Sequence, residues 1–567
     1  MNGQRFVPNL VFALALAALT IGVYAPVREF KFVNYDDNVY VTENAKVGQG
    51  LTTGTVSWSL TAFVAGNWHP LTLLSHALDV QWFGFDPSGH HVMNLALHVG
   101  NVLLLFALLT GATQKPWPSA FVAALFAIHP LNVQTVAWIS ERKSLLSTTF
   151  WFLALLAHAR FRRSPGVTKY VTVVALAGLA LAAKPMAVTL PLTVMLWDLW
   201  PLAMRPLGRG PLWLRYAREL LPTLLLAAIC GVLTLEAQHA ARALQNVTAF
   251  SWPVRLGNAL VSYVWYLKAM IWPAGLAAFY PHPMATRGAG EIAVCALVLI
   301  VIVVAVLVRG RAFPALAAGW WWYAGTLLPV AGVIQVGGQA YADRYAYVPL
   351  VGIFIVIAWA GAGVTASLPA RWRHTAAAAA LAWIAVLSLA TRAQLPYWRD
   401  SVSLFERAID VVPDNAVAQN NLGMAFVEQG RIADALDHFE KAVAIDPGDT
   451  DARSNLGNAL RALGRPADAA EAYRLALRQA PSDASIHYNL ATALADLRRG
   501  DEAIVELHEA IRLDPDYAKA RFLLGTLLVG QGRVEEAREQ FQGVLSRDPH
   551  DERAAEWVRR IDAQRPR

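Results

Sequence analysis

Residues 421–426 read NLGMAF, 455–460 NLGNAL, 489–494 NLATAL and 523–528 LLGTLL, one phrase returning every 34 residues. Pro413, Pro447, Pro481, Pro515 and Pro549 keep the same spacing. A period of this length is the tetratricopeptide signature, in which each unit is a helix pair that buries its apolar face only by stacking on its neighbours. Gly423, Gly457, Ala491 and Gly525 let the two helices of a unit approach closely, Ala435, Ala469, Ala503 and Ala537 do the same on the second helix, and the proline closes the unit. Residues 401–412 (SVSLFERAIDVV) read as the second helix of a degenerate first repeat. The tail is thus an α-solenoid whose concave surface suits an extended peptide or a partner domain, and it carries no chemistry of its own.

The residues before it are of a different kind. The 567-residue chain is 56% hydrophobic and 16% charged, with a mean hydropathy of +0.37, a balance that belongs in a membrane. Residues 399–567 hold 22 of the 48 Lys and Arg residues and 29 of the 41 Asp and Glu, leaving 26 and 12 for the first 398. The front is apolar and basic; the tail is polar and acidic. The excess positive charge lies in short loops between apolar runs, where membrane orientation explains it and a nucleic-acid partner is not needed. Cys230 and Cys295 sit in apolar runs and give neither a disulfide framework nor a metal spacing.

A spanning helix needs roughly 20 apolar residues. The chain offers about eleven such runs, near 6–25, 92–110, 119–136, 144–160, 168–183, 186–200, 218–236, 291–308, 314–332, 347–366 and 374–391. The first is followed by Pro26-Val27-Arg28-Glu29, without a small-x-small cleavage site, and is read as an uncleaved helix. Alternate loops carry Lys115, Arg160/Arg162/Arg163 with Lys169, Arg205/Arg209/Arg215, Arg309/Arg311 and Arg371/Arg373, and these face the cytoplasm. The opposite loops, 26–91, 237–290 and 333–346, are long and sparsely basic and face outward. Residues 258–274, rich in Tyr and Trp, are read as re-entrant or interfacial, because a full crossing would reverse every later loop. The expected architecture is all-α: a polytopic bundle of about eleven spans over 1–395, with its first outer loop at 26–91, then a tetratricopeptide solenoid over 396–567. The repeats then emerge on the outer, extracytoplasmic side.

Chemistry is sought among the few outward-facing charges. The first outer loop is too long to be a mere connection and holds Asp36-Asp37 in FVNYDDNVYV, about ten residues past the first helix. The pair offers a general base and a hydrogen-bond organiser; its plainer reading is an Asx turn. Glu141-Arg142-Lys143, Lys184 and Asp343-Arg344 lie on the same side, where cations suit a phosphate or lipid head group. Their plainer reading is snorkelling to ordinary lipid. His69, His76, His90 and His91 with Asp36 and Asp37 offer a divalent-cation site as an alternative, but no tight ligand spacing supports it, so no metal is assigned. His98 and His129 read as packed, hydrogen-bonded residues. There is no P-loop, no dinucleotide fingerprint and no nucleophile elbow.

The phrases NYDDNVYVTEN, NWHPLTLLSHALD, GHHVMNLALH, HPLNVQTVAWISERKSLLS, AKPMAVTLPL and QAYADRYAYVPL, together with the repeat tail, resemble the transmembrane and tetratricopeptide-repeat-containing O-mannosyltransferases of the C-type membrane glycosyltransferase superfamily. The resemblance covers essentially the whole chain. It implies transfer of a sugar from a polyprenyl-phosphate-linked donor to an extracytoplasmic acceptor such as protein hydroxyls, with inversion, and with the acceptor recruited by the repeats. It maps the family's acidic motif onto Asp36, as base, and Asp37, as its partner. Substrate contacts are expected from His69, His90, His91, Glu141, Arg142, Lys184, Asp343 and Arg344. The Ala- and Arg-rich composition points to a bacterial relative in an inner membrane, so neither mannose nor Ser/Thr acceptors carry over automatically. The competing reading is a non-enzymatic membrane scaffold for envelope or polysaccharide assembly acting through its repeats.

Overall fold

Prolines set many of the helix starts. The computed structural model describes residues 3–204, 211–240, 251–283, 287–333 and 337–563. The first part runs α1 (Gly3–Tyr24), α2 (Thr53–Thr61), α3 (Pro70–Phe83), α4 (Pro87–Thr113), α5 (Pro116–Ile128), α6 (Val133–Ala137), α7 (Arg142–Arg163), α8 (Val167–Ala183), α9 (Leu190–Leu199) and α10 (Leu212–Ala240). It continues with α11 (Trp252–Ile271), α12 (Ala289–Arg309), α13 (Pro314–Leu327), α14 (Pro349–Ser367), α15 (Ala370–Gln394) and α16 (Ser401–Val411). Pro70, Pro87, Pro116, Pro314 and Pro349 open their helices, where the missing N–H costs nothing. Two short strands, β1 (Tyr280–Pro281) and β2 (Gln339–Tyr341), pair antiparallel and bring the segment after α11 and the segment after α13 together.

The chain packs as two units, Met1–Val412 and Pro413–Arg567. The division falls after α16 rather than at 395/396, because α16 is held by the first outer loop: Asn34 N donates to Ser401 Oγ at 2.9 Å, and the Phe405 ring stands edge-on to Tyr35.

The count of spans is corrected. Among the described residues, six stretches are long and apolar enough to cross a membrane alone: Asn9–Glu29, Pro87–Thr113, Leu212–His239, Ala289–Arg309, Pro349–Ser367 and Ala370–Trp398. The bent pair Pro116–Ile128 and Pro130–Ala137 makes a seventh if it is one span. The other expected runs are helical but shorter, with 17, 10 and 14 residues in α8, α9 and α13, or charged at both ends, as in α7. The chain is a multi-pass membrane protein. Residues 258–271 lie in α11, one uninterrupted helix that is not among these stretches, and a break bent by 54° lies between α5 and α6.

That break has a local cause and a complete set of partners. Pro130 forces His129 into an extended conformation and ends α5. The carbonyls this frees cannot stay unpaired in a water-poor interior. Asn132 Nδ2 donates to Phe126 O at 2.7 Å, His98 Nε2 to Ala127 O at 2.9 Å and Thr391 Oγ1 to Ile128 O at 2.5 Å. His129 Nε2 donates to Met270 O at 2.9 Å, so both histidines are packed and bonded as expected. Arg162, read as a loop charge, is instead buried against Asp198 at 2.5 Å and Glu219 at 2.6 Å. Arg205 and Arg209 lie outside the described residues.

In the second unit the helix pairs are α17 (Ala416–Glu428) with α18 (Ile432–Ile445), α19 (Thr450–Ala462) with α20 (Pro466–Gln479), α21 (Ala484–Asp496) with α22 (Gly500–Leu513), and α23 (Ala518–Gly530) with α24 (Val534–Leu545); α25 (Glu552–Ala563) closes the array. A Cβ on Gly423, Gly457 or Gly525 would meet the Phe439, Tyr473 or Phe541 ring at 2.6, 2.6 or 2.8 Å. In the remaining pair the register puts Leu507 where the others have a ring, and there Ala491 suffices.

Candidate active site

The acidic pair divides its labour. Asn34, Tyr35 and Asp36 form a turn in which Asp36 holds φ +68°, a left-handed conformation that a non-glycine residue adopts only when its surroundings impose it. Asp37 is buried and braces the turn: Oδ2 accepts from Val33 N at 3.0 Å, and Oδ1 accepts from Ser140 N at 2.9 Å and from Ser140 Oγ at 2.5 Å. Burial pushes its carboxyl up to about 7 against those three donors. Asp36, with its side chain 36% exposed, is the one that reaches outward.

Ser140 belongs to the segment between α6 and α7, so the brace ties the first loop to Trp138. The Tyr35 ring stacks on Trp138 at 4.7 Å, and Trp138 Nε1 donates to Tyr35 O at 2.7 Å. Trp138 is in turn a platform for two cations, with Lys143 Nζ and the Arg344 guanidinium each 5.3 Å from its ring. Arg344 is delivered from the loop after β2, its N–H donating to Gln134 Oε1 at 2.8 Å.

At the centre stands Glu141, wholly buried. Lys184 Nζ lies 3.0 Å from its Oε2, and Arg344 Nε and Lys143 Nζ lie 3.5 and 3.7 Å from its Oε1. Ser144 Oγ also donates to it. Burial alone would raise the Glu141 carboxyl, but Lys184, Lys143, Arg344 and Ser144 outweigh it and hold it at about 2. Lys143 Nζ further lies 3.7 Å from Asp36 Oδ2. Three cations thus face two carboxylates, one of them reaching outward. Arg344 Nη1 is buried with no hydrogen-bond partner among the described residues. Burial, with the two neighbouring cations, lowers the Lys184 ammonium to about 8 despite Glu141. The cluster is short of an anion.

A narrow groove opens from Lys184 and Arg344 and continues between α7 and the α13–α14 region, where Trp151, Met186, Tyr347 and Val348 make its wall apolar. Charge at the mouth and apolar surface beyond suit an amphiphile with an anionic head.

Of the expected site residues, Asp36, Glu141, Lys184 and Arg344 meet here, and Asp37 stands behind them. Arg142 does not. It is buried, donating to Ser75 Oγ at 2.9 Å, Asp79 Oδ2 at 2.6 Å and His90 O at 2.9 Å, and also to Asn94 Oδ1. Lys143, one residue on, is the cation in the site. Consecutive helical residues point about 100° apart, so only one of the two can face the groove. His90 and His91 are also corrected, being buried with Nε2 on Gly84 O and Lys31 O. His69 packs against Tyr40 outside the groove, and burial pushes it down to about 3, leaving it neutral. Asp343 accepts from Tyr280 OH at 2.9 Å and not from Arg344; burial lifts it to about 7. The alternative metal set of histidines with Asp36 and Asp37 is not brought together. Trp138 does not stand out in the sequence because an interfacial Trp is ordinary; its place three residues before Glu141 was the available signal.

The fold and site define a multi-pass, all-helical membrane protein with a buried cationic cluster and a tetratricopeptide array. The tetratricopeptide-repeat family matches residues 398–450, 426–494 and 494–561. The chain is similar to protein O-mannosyl-transferase Tmtc3 of Drosophila melanogaster, with 23% identity over 443 residues, 65% of this chain and 47% of the relative. Over 146 residues it is 33% identical to Tmtc1 of the same organism, covering 25% of this chain and 16% of the relative. Over 113 residues it is 34% identical to TMTC4 of Homo sapiens, covering 17% and 15%. The chain thus matches less than half the length of each of these relatives. Among solved structures, MamA is 22% identical over 26% of this chain and 87% of its own, with a TM-score of 0.25. YrrB, a tetratricopeptide protein with an unusual peptide-binding site, is 26% identical over 28% and 82%, with a TM-score of 0.26.

Proposed function

We propose that the protein is a membrane glycosyltransferase that moves a sugar from a polyprenyl-phosphate-linked donor to an acceptor hydroxyl on the extracytoplasmic side, probing protein acceptors through its repeats. One observation carries the reading: the anion-deficient cluster of Lys143, Lys184 and Arg344 stands beside a partly exposed carboxylate, at the mouth of a groove that turns apolar. The names of the curated relatives support the class of reaction.

In this mechanism the lipid phosphate occupies the place that the cations leave open, with the prenyl chain along Trp151 and Tyr347. Asp36 takes the proton from the acceptor hydroxyl as its oxygen attacks the anomeric carbon. The bond from that carbon to the phosphate oxygen breaks, and the phosphate leaves with the electron pair, stabilised by Arg344 and the two lysines. One base and an anionic leaving group suffice for inversion, and no second carboxylate is needed as nucleophile. Asp37 does not touch substrate; it fixes the turn that aims Asp36. A scaffold acting only through its repeats would have no use for three cations around a buried glutamate, an arrangement that is expensive to fold.

The test separates chemistry from binding. Asp36→Asn should lower turnover roughly 10²- to 10⁴-fold with donor affinity little changed. Arg344→Ala should weaken donor binding as well, and Arg344→Lys should restore it only in part. The measurement is transfer of radiolabelled sugar by the purified protein alongside donor-lipid binding. Near-normal turnover in Asp36→Asn would refute the assignment.

A further inference from the structure

Beside the site, but outside its chemistry, lies a second polar cluster. His76 and Asp79 stand one turn apart on α3, and His90 stands in the first turn of α4; all three are at most 1% exposed. One donor atom from each lies within 4.8 Å of the other two. His76 Nδ1 and Nε2 and His90 Nδ1 have no hydrogen-bond partner among the described residues.

The tautomer of His90 follows from its surroundings. Its Nε2 contacts Gly84 O at 3.1 Å, and a carbonyl only accepts, so Nε2 carries the hydrogen. A neutral ring then turns the lone pair of Nδ1 toward Asp79 Oδ2, 3.5 Å away. Two acceptors face each other in a buried space, and His76 adds a third with nothing opposite it. An apolar protein interior does not tolerate such a set without a positive partner. Arg142 supplies one positive charge to Asp79 at 2.6 Å, but its other donors go to Ser75, Asn94 and the His90 carbonyl, and none reaches either imidazole.

We infer that His76, Asp79 and His90 bind a first-row divalent metal ion, zinc by preference, that pins α3 to the start of α4. The donor set, two imidazoles and a carboxylate, suits zinc and its neighbours and disfavours Mg²⁺ and Ca²⁺. The 3.5 Å between His90 Nδ1 and Asp79 Oδ2 is close to the roughly 3.3 Å edge of a tetrahedron with ligand distances of about 2.0 Å. The surroundings are those a metal site requires: the far nitrogen of His90 is anchored on a backbone carbonyl, and the carboxylate is held by Arg142. Because Glu141 and Lys143 flank Arg142 in sequence, the ion would also fix the segment that lines the anion site. Its role is positional, and the transfer reaction draws no step from it.

The full chain, purified in detergent without chelator, should carry about one equivalent of zinc by mass spectrometry of the metal. The apoprotein given Co²⁺ should show the visible d–d bands of a low-coordinate nitrogen–oxygen site, and Zn²⁺ should abolish them. The double variant His76→Ala/His90→Ala should lose both the zinc and the bands while keeping its helical circular dichroism. Should that variant fail to fold, the unaltered chain still decides the matter. Absence of stoichiometric metal together with a Co²⁺ spectrum no different from the free ion would overturn the site. Metal retained by a folded double variant would also overturn it, since the ion would then lie elsewhere. Neither readout depends on sugar transfer.

Discussion

In the repeats Arg465 and Asp468 meet at 2.7 Å with about half of each side chain exposed, at 51% and 53%; in the first unit Lys184 and Glu141 meet at 3.0 Å with 12% and 0% exposed. The same chemistry serves different ends. Arg431–Asp434, Arg499–Glu502 and Arg533–Glu536 repeat the exposed pair at the start of successive second helices. Water screens such pairs, and each contributes little. The pairs around Glu141 have surrendered their hydration, so their attraction is large and so is the cost of assembling them. A chain tolerates that cost where the charges have work to do, and it places its disposable charges where they only keep a solenoid soluble.

Breaking a buried pair should therefore hurt most. Arg142→Ala leaves Asp79 buried with its guanidinium partner gone and should destabilise the first unit by roughly 3–5 kcal/mol, measured as a fall in denaturant midpoint or, in the extreme, a failure to accumulate. An effect below about 1 kcal/mol would erase the contrast between the two regions.

Next in size is a test of packing within the repeats. Gly457→Ala brings a methyl against Tyr473 and should cost about 1–3 kcal/mol. Gly457→Ala/Tyr473→Leu reproduces the Ala491 and Leu507 combination and should recover much of the loss. If the double variant is no better than the single, the glycine is needed for something other than the ring.

A smaller effect reads the buried cluster through pH. Lys184, lowered to about 8, binds a phosphate as the ammonium, so its contribution is present below that value and is lost as pH rises through it. Donor-lipid affinity should fall roughly tenfold between pH 7 and 9, in line with one charge-assisted contact. Phosphate binding itself opposes the loss, so the midpoint in the complex lies higher than in the free protein. A flat profile would remove Lys184 from the donor site.

The smallest effect closes the comparison. Arg465→Ala should change the stability of the repeats by less than about 1 kcal/mol, and that little should shrink further in high salt.

The repeats were legible from sequence because their determinants are local and recur: the glycine that admits a ring, the alanine opposite it and the closing proline all lie within one period. The site was legible in part. Asp36, Glu141, Lys184 and Arg344 could be gathered because the alternation of basic loops predicts one side of the membrane for all four, and loops at one end of a bundle converge. Choosing Lys143 over Arg142 was not possible from sequence, since the choice turns on Asp79 and Ser75 more than sixty residues earlier. Span counting failed where helices were shortened by prolines or closed by charges: hydropathy registers apolar runs and passes over the break at Pro130, whose freed carbonyls are met by side chains from α4 and α15.

The hydrogen bonds that hold the Asp36 turn also set an order of events. Lys31 N donates to Arg399 O and Asn34 N to Ser401 Oγ, each at 2.9 Å. A ribosome reaches Ser401 only 367 residues after Asn34, a delay of tens of seconds at roughly 5–20 residues per second. Until then the turn is braced from the side of Val33, Trp138 and Ser140 alone, and the first loop lacks the two bonds that tie it to the last stretch before the repeats. The apparent domain border at 395/396 is for the same reason a poor place to cut: a gene truncated there would encode α1 to α15 and lack both α16 and the clasp that closes the first loop.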